Sequence, residues 1–294
     1  MSTTYALSAH KSRTHIGVLP VVALAVALFS ALLAGGARSA SPTAVHGANE
    51  SQSAPGRAVS TSQPWDLLYI SDSSGWGVAP LYARSIRQDR GVAVRVHDQW
   101  QGDLAAVTIL ERLRTPGDSW IRLIREAEVI VVYGNFTGLG IKGDDNCVSA
   151  VRPVARGPRY WQPYVATLKA ISKRIFELRK AKPVILRTAN WYIPTVSHAP
   201  DAFGFPHTSW EQAGIVDACT RWAESWSAAI ARAAAAYRVP MADVYTAFNG
   251  PDHREDPFAK GYLQADGIHP SNKGAAVIAQ TLADLGYRQV KPPR

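Results

Sequence analysis

The 294 residues are 47% apolar and 19% charged, with two cysteines and a formal net charge of +9. A chain of this composition builds a sizeable core; it is neither intrinsically disordered nor a miniprotein held by disulfides. Its basic residues are scattered (Arg84, Arg87, Arg90, Lys169, Arg174, Lys180), with no basic cluster interleaved with aromatics. That argues for solvated helix faces and against a nucleic-acid partner.

Lys11 and Arg13 precede an uncharged run over residues 16–34. Small residues follow, from Gly35 to Ala40. A basic region, an apolar region and a small-residue exit make the layout of a secretory signal peptide. Ala37 and Ser39 supply small side chains at the two positions a signal peptidase tests. The run also approaches the roughly 20 residues that span a bilayer. An uncleaved anchor, with membrane association through residues 16–34, is therefore the alternative. Residues 1–40 hold three basic side chains and no acid, which leaves +6 for the rest. Residues 41–63 are rich in Ser, Ala, Pro, Gly and Thr and predict a flexible linker. One folded domain is expected over 64–294, in a secreted or extracytoplasmic monomer. In an oxidising compartment Cys147 and Cys219 could form a disulfide, worth about 3–5 kcal/mol in the chain-entropy model. Two buried thiols are the alternative.

From residue 64 onward, strands and helices alternate. Residues 65–71 (WDLLYIS) form a short apolar run and predict a buried strand. A helix is predicted over 78–88, a strand over 92–97 and a helix over 104–114. Residues 129–133 (VIVVY) predict a third strand, 160–180 a long amphipathic helix halted near Pro183, and 184–188 a fourth strand. Residues 210–237 predict a helix, 241–245 a short fifth strand and 271–285 a final helix. Ser271 is the candidate N-cap of that helix and Gly286 its stop. Alternation of this kind predicts a parallel sheet with helices on both faces, which binds ligands beyond the carboxyl ends of its strands.

Polar residues of catalytic type gather at those ends. The first strand runs into Ser71-Asp72-Ser73-Ser74-Gly75 and the second into His97-Asp98-Gln99-Trp100-Gln101-Gly102. The third runs into Tyr133-Gly134-Asn135-Phe136, and beyond the fifth lies Asp266-Gly267-Ile268-His269-Pro270. A serine hydroxyl needs a base to act as a nucleophile at neutral pH. His269 can be that base, with Asp266 to orient it. The N–H groups of Ser73 and Gly102 and the amide of Asn135 are candidate donors to an oxyanion. Ser74 is a rival nucleophile. Asp72 is expected to hold the turn, and the His97-Asp98 pair to sit in a solvated loop, with contact to the site as the alternative.

Asp72-Ser73, Gly102, Asn135 and Asp266-x-x-His269, in this order, resemble the SGNH (GDSL-type) hydrolases. The resemblance spans residues 71–269. It implies a flavodoxin-like three-layer α/β/α sandwich around a five-stranded parallel sheet. It also implies a Ser73–His269–Asp266 triad and ester hydrolysis through an acyl-serine, with no metal or cofactor. Three positions depart from the family pattern: Ser71 stands where glycine is usual, Tyr133 where the third motif has its leading glycine, and Phe136 where an acid is usual. SDSSG also half-resembles the G-x-S-x-G elbow of α/β-hydrolases. The position of Ser73 after the first strand, and the three-residue spacing of Asp266 and His269, favour the SGNH pattern.

The expected substrate is a small-molecule or glycan ester. Acyl transfer to a sugar hydroxyl would use the same residues. A carbohydrate-binding protein on a retired hydrolase fold is a further alternative, motivated by nine tryptophans. Trp76, Trp100 and Trp191, near predicted loops, are the candidate substrate contacts, against the simpler role of filling the core. The aromatic, proline-rich stretch 190–210 is expected to overhang the site.

Overall fold

The computed structural model describes residues 63–134, 158–194 and 215–292, with side chains from residue 220 in the last segment. The predicted leader, most of the linker, Asn135, Cys147, the side chain of Cys219 and most of the stretch 190–210 lie outside the described residues. No helix among the described residues is long and apolar enough to cross a membrane.

Five parallel strands form one sheet in the order β2-β1-β3-β4-β5. They are β1 (Trp65–Ser71), β2 (Val94–Trp100), β3 (Val129–Tyr133), β4 (Ile185–Ala189) and β5 (Met241–Ala242). β1 is an interior strand, and Leu67, Leu68, Tyr69 and Ile70 are wholly buried. A strand covered on both faces needs a continuous apolar run, which WDLLYIS supplies. β2 lies at the edge and is half-buried along most of its length. This topology carries the chain outward from β1 to β2, then back across to β3. The order reverses beside β1, and ligands of open α/β sheets bind at such a reversal. The register aligns Ser71 with Trp100 on one side and Tyr133 on the other. Ser73 and Gly102 therefore each stand two residues past one level of the sheet.

The helices are α1 (Val78–Arg90), α2 (Ala106–Arg114), α3 (Ser119–Glu126), α4 (Gln162–Leu178), α5 (Ile215–Ala236), α6 (Val244–Asn249) and α7 (Asn272–Asp284). α7 packs against α1 and α6, whereas α2, α3 and α5 pack against α4. Three layers result, as expected. α7 begins where Ser271 predicted, with the Ser271 hydroxyl accepting from the Gly274 N–H at 3.2 Å.

Two elements differ from the sequence expectation. α3 was not anticipated. Asp118 caps it by accepting from the Trp120 N–H at 2.9 Å, and Trp120, Ile121, Leu123 and Ile124 bury its inner face. The predicted strand 241–245 stops after Ala242. There the Asp243 carboxylate accepts from the N–H and hydroxyl of Thr246 and starts α6 instead. A local cap thereby overrides the β-branched and aromatic run.

One buried charge ties the end of the chain to the sheet. Arg187 on β4 is fully buried. It donates to the carbonyls of Leu186 at 2.8 Å, Gly286 at 2.7 Å and Arg288 at 3.0 Å. Burial lowers its pKa from the usual guanidinium value. The carbonyls beyond α7 take the place of a counter-ion, which locks α7 over the sheet.

Candidate active site

β1 ends at Ser71, and a single 3-10 turn, Ser73–Gly75, follows it. Asp72 caps this turn. Its Oδ1 accepts from the Ser74 N–H at 2.9 Å and from the Ser74 hydroxyl at 2.5 Å, and the residue is only 5% exposed. Ser74 is thus buried and committed to Asp72, whereas Ser73 is not. The Ser73 side chain faces outward and is half-buried. Behind the turn, Tyr69 and Tyr133 are wholly buried; desolvation first, then Tyr133 and nearby carboxylates for Tyr69 and Asp72 for Tyr133, push both phenols far up, so they stay neutral.

Two glycines make the turn possible. A Cβ on Gly75 would overlap the side chain of Ser71 and lie 2.9 Å from Tyr69 Cε1. The departure at Ser71 is therefore accommodated: the space its side chain fills is the space Gly75 leaves. Gly134, at the end of β3, has φ +152°, and a Cβ there would lie 2.7 Å from Asp72 Oδ1 and 2.9 Å from Asp72 N. Only glycine lets the backbone pass so close to the capping carboxylate.

The predicted partners of Ser73, Asp266 and His269, come from the loop before α7. His269 Nε2 lies 3.0 Å from Ser73 Oγ, and its Nδ1 lies 2.7 Å from Asp266 Oδ2. The other carboxylate oxygen, Asp266 Oδ1, accepts from the N–H groups of Ile268 at 2.9 Å and His269 at 3.0 Å. Burial alone would raise the Asp266 carboxyl. Hydrogen bonds from Ile268 N–H, the His269 ring and His269 N–H outweigh it and hold the group below the usual carboxylate range. An ionised carboxylate can only accept, so the Nδ1 of His269 carries the proton and Nε2 is left to accept from Ser73. Ser73, His269 and Asp266 thus form one chain of hydrogen bonds.

Two further residues, not singled out from sequence, support this loop. Tyr192 is fully buried and donates from its hydroxyl to the Ile268 carbonyl at 2.6 Å. Gln264 donates through its backbone N–H to the His269 carbonyl at 2.8 Å and through Nε2 to the Pro270 carbonyl at 3.0 Å. The position of Tyr192, just past the end of β4, was its one sequence signal.

The other predicted residues divide. Gly102 is exposed in the turn after β2. The N–H groups of Ser73 and Gly102 donate to no group among the described residues. Trp76 and Trp100 line an open cavity of about 230 Å3 with Ser73, His269 and Gln264. Trp191 is a correction. It is 4% exposed and packs on Tyr192 and Trp226 with ring centroids 4.9 and 5.6 Å apart, inside an aromatic block that includes Trp161 and Trp222. It is a core residue, because α5 covers the segment that follows β4. His97 and Asp98 are corrected too: both lie within β2, which runs on to Trp100. His97 Nε2 meets Asp66 Oδ1 at 2.7 Å, away from Ser73.

The shape has relatives among solved structures. A lipase from a goat rumen metagenome aligns with a TM-score of 0.54 at 18% identity, over 76% of this chain and 98% of that one. A chain described as a GDSL-like lipase, from Parabacteroides merdae, aligns with a TM-score of 0.51 at 10% identity, over 77% and 97%. The fold is that of the SGNH (GDSL-type) hydrolases. An acetyl-xylooligosaccharide esterase from Geobacillus stearothermophilus aligns with a TM-score of 0.50 at 13% identity, over 76% of this chain and 95% of that one. The sequence matches no protein-family model and no curated protein.

Two outcomes follow from this geometry. Gly75→Ala should destabilise the protein by about 1–3 kcal/mol through overpacking. In a Ser71→Gly background the same change should cost at least about 1 kcal/mol less, a coupling that chemical unfolding of the four proteins measures. Strict additivity would show that the two side chains do not share the space. The second outcome concerns pH. The folded-state pKa of Asp266 lies below its unfolded value, so its contribution is present above the ordinary Asp range, about 3.9, and is lost as pH falls through the lower folded value. Asp266→Asn should therefore lower the melting temperature most near neutral pH, with the gap to wild type closing towards pH 3. A gap unchanged across that range would contradict the assignment.

Proposed function

We propose that the protein is an exported serine esterase, and that it cleaves carboxylic esters through an acyl-serine intermediate. The observation that carries this reading is the unbroken chain Ser73 Oγ–His269 Nε2 at 3.0 Å and His269 Nδ1–Asp266 Oδ2 at 2.7 Å. Ser73 Oγ attacks the ester carbonyl while its proton passes to His269 Nε2. The charged imidazolium is held by Asp266. The carbonyl oxygen becomes an oxyanion, for which the uncommitted N–H groups of Ser73 and Gly102 and the amide of Asn135 are the proposed donors, each worth about 3–4 kcal/mol. Collapse breaks the ester C–O bond, and His269 returns its proton to the leaving alkoxide. Water then attacks the acyl-serine, again losing a proton to His269, and the acid is released. The neighbours described as lipases and esterases agree with this chemistry.

Export is proposed on the layout of residues 11–40. Chain recovered from the medium should begin at Ala40, as N-terminal sequencing would read. Retention of residues 16–34 in a membrane fraction would instead support the anchor.

The reaction is tested by a fluorophosphonate probe and a short-chain ester. Wild type should be labelled at Ser73, and Ser73→Ala should lose labelling and at least about 1,000-fold of kcat/KM. Ser74→Ala should still be labelled at Ser73. Labelling that survives Ser73→Ala and vanishes in Ser74→Ala would overturn the choice of nucleophile.

A further inference from the structure

Among the described residues, the large hydrophobic side chains that stand exposed are Trp76 at 45% and Trp100 at 46%. Both line the cavity that holds Ser73 and His269. The other described tryptophans are buried in the core, apart from Trp65, which packs partly buried against it. Each exposed indole leaves on the order of 100 Å2 of ring in solvent. Exposed aromatic surface at the mouth of a cavity marks a binding site when polar groups converge beside it.

The two rings are held by different elements. Trp76 closes the nucleophile turn, its N–H donating to the Ser73 carbonyl at 3.2 Å. Trp100 is the last residue of β2 and is level with Ser71 in the sheet. Both backbone positions are fixed by hydrogen bonds, which holds the two indoles at the mouth of the cavity. Gln264 lines the same cavity. Its Nε2 is committed to the Pro270 carbonyl, which leaves Oε1 to accept from a hydroxyl.

We propose that the alcohol portion of the ester is a sugar ring, so that the substrate is an O-acylated carbohydrate. A pyranose has a flat C–H face that packs on an indole and a rim of hydroxyls that seeks fixed amide acceptors. Flat aromatic faces with a rigid amide oxygen match both surfaces at once. The cavity, about 230 Å3, lies below the roughly 300–1,000 Å3 of sites that enclose drug-sized ligands. It suits one sugar unit presented from the surface. None of the described residues lining it is Lys or Arg, whereas sites that dock on anionic lipid surfaces carry basic residues. The cleaved bond joins the acyl carbon to a sugar oxygen; the acyl group goes to Ser73 Oγ and then to water, and the sugar leaves with the proton from His269.

The inference rests on Ser73 as the nucleophile, and the test separates the two. Hydrolysis of xylose tetraacetate is compared with that of glycerol triacetate, which carries the same acetyl esters but no ring. Wild type should prefer the sugar acetate by at least tenfold in kcat/KM. Trp76→Ala and Trp100→Ala should each reduce that preference at least fivefold, chiefly through KM for the sugar acetate. Trp76→Phe and Trp100→Phe should retain most of it. Both replaced side chains are exposed, so circular dichroism should be that of wild type. Hydrolysis of both esters with no preference, or a preference indifferent to the tryptophans, would overturn the sugar assignment and leave the esterase intact. Failure of both esters together with absence of fluorophosphonate labelling would overturn the esterase itself. Tryptophan-dependent binding to phosphatidylcholine vesicles, without a sugar preference, would overturn the proposal in favour of a lipid surface.

Discussion

The buried carboxylate of Asp72 is the fixed point on which the site depends. β1 is covered on both faces and flanked by β2 and β3, so its end is set by the sheet and cannot drift. At that end Asp72 binds the N–H and hydroxyl of Ser74 and stops the strand within one residue. The chain turns sharply, and Ser73 is directed outward. The same carboxylate lies against Gly134, so the end of β3 passes close to the nucleophile turn. One polar group thereby sets where Ser73 stands and how closely Gly134 passes the carboxylate. A buried carboxylate is costly unless its hydrogen bonds are satisfied, and here that requirement specifies a geometry.

The second half of the site is built with the same economy. The two oxygens of Asp266 hold different groups. Oδ1 fixes the backbone of the loop through Ile268 and His269, and Oδ2 fixes the imidazole. Tyr192 and Gln264 brace the loop from two sides. The imidazole therefore has little freedom left before substrate arrives. Preorganisation of this kind is where acyl-transfer sites gain most of their rate.

Much of this was legible in the sequence, for identifiable reasons. WDLLYIS and VIVVY are apolar runs bounded by polar turns, and such runs place buried parallel strands with little ambiguity. Alternation with helical segments then predicted the sheet, and the sheet predicted which polar residues would meet. Asp266 and His269 were readable because three residues in a turn bring two side chains together. Burial that depends on distant packing was not readable. Trp191 follows a strand, as a substrate contact would, yet α5 closes over it and makes it core. α3 was missed because eight residues offer too few turns for a clear period, although its Asp118 cap was in plain view. The apparent strand 241–245 was misjudged because Asp243 starts a helix through side-chain bonds that no apolar pattern reports. The compensation between Ser71 and Gly75 was also hidden: each residue alone is only a departure or a turn signal, and the pair acquires meaning when the turn folds them face to face.

Ser73 and His269 are separated by 196 positions in the chain. A nascent polypeptide exposes Ser73 early, with β1, but has no His269 to pair with it until the last loop has emerged and α7 has settled over α1. Arg187 waits equally long for the carbonyls of Gly286 and Arg288. Long-range pairing of this kind forms late in folding. On the proposed assignment, reactivity is thus withheld from every incomplete intermediate.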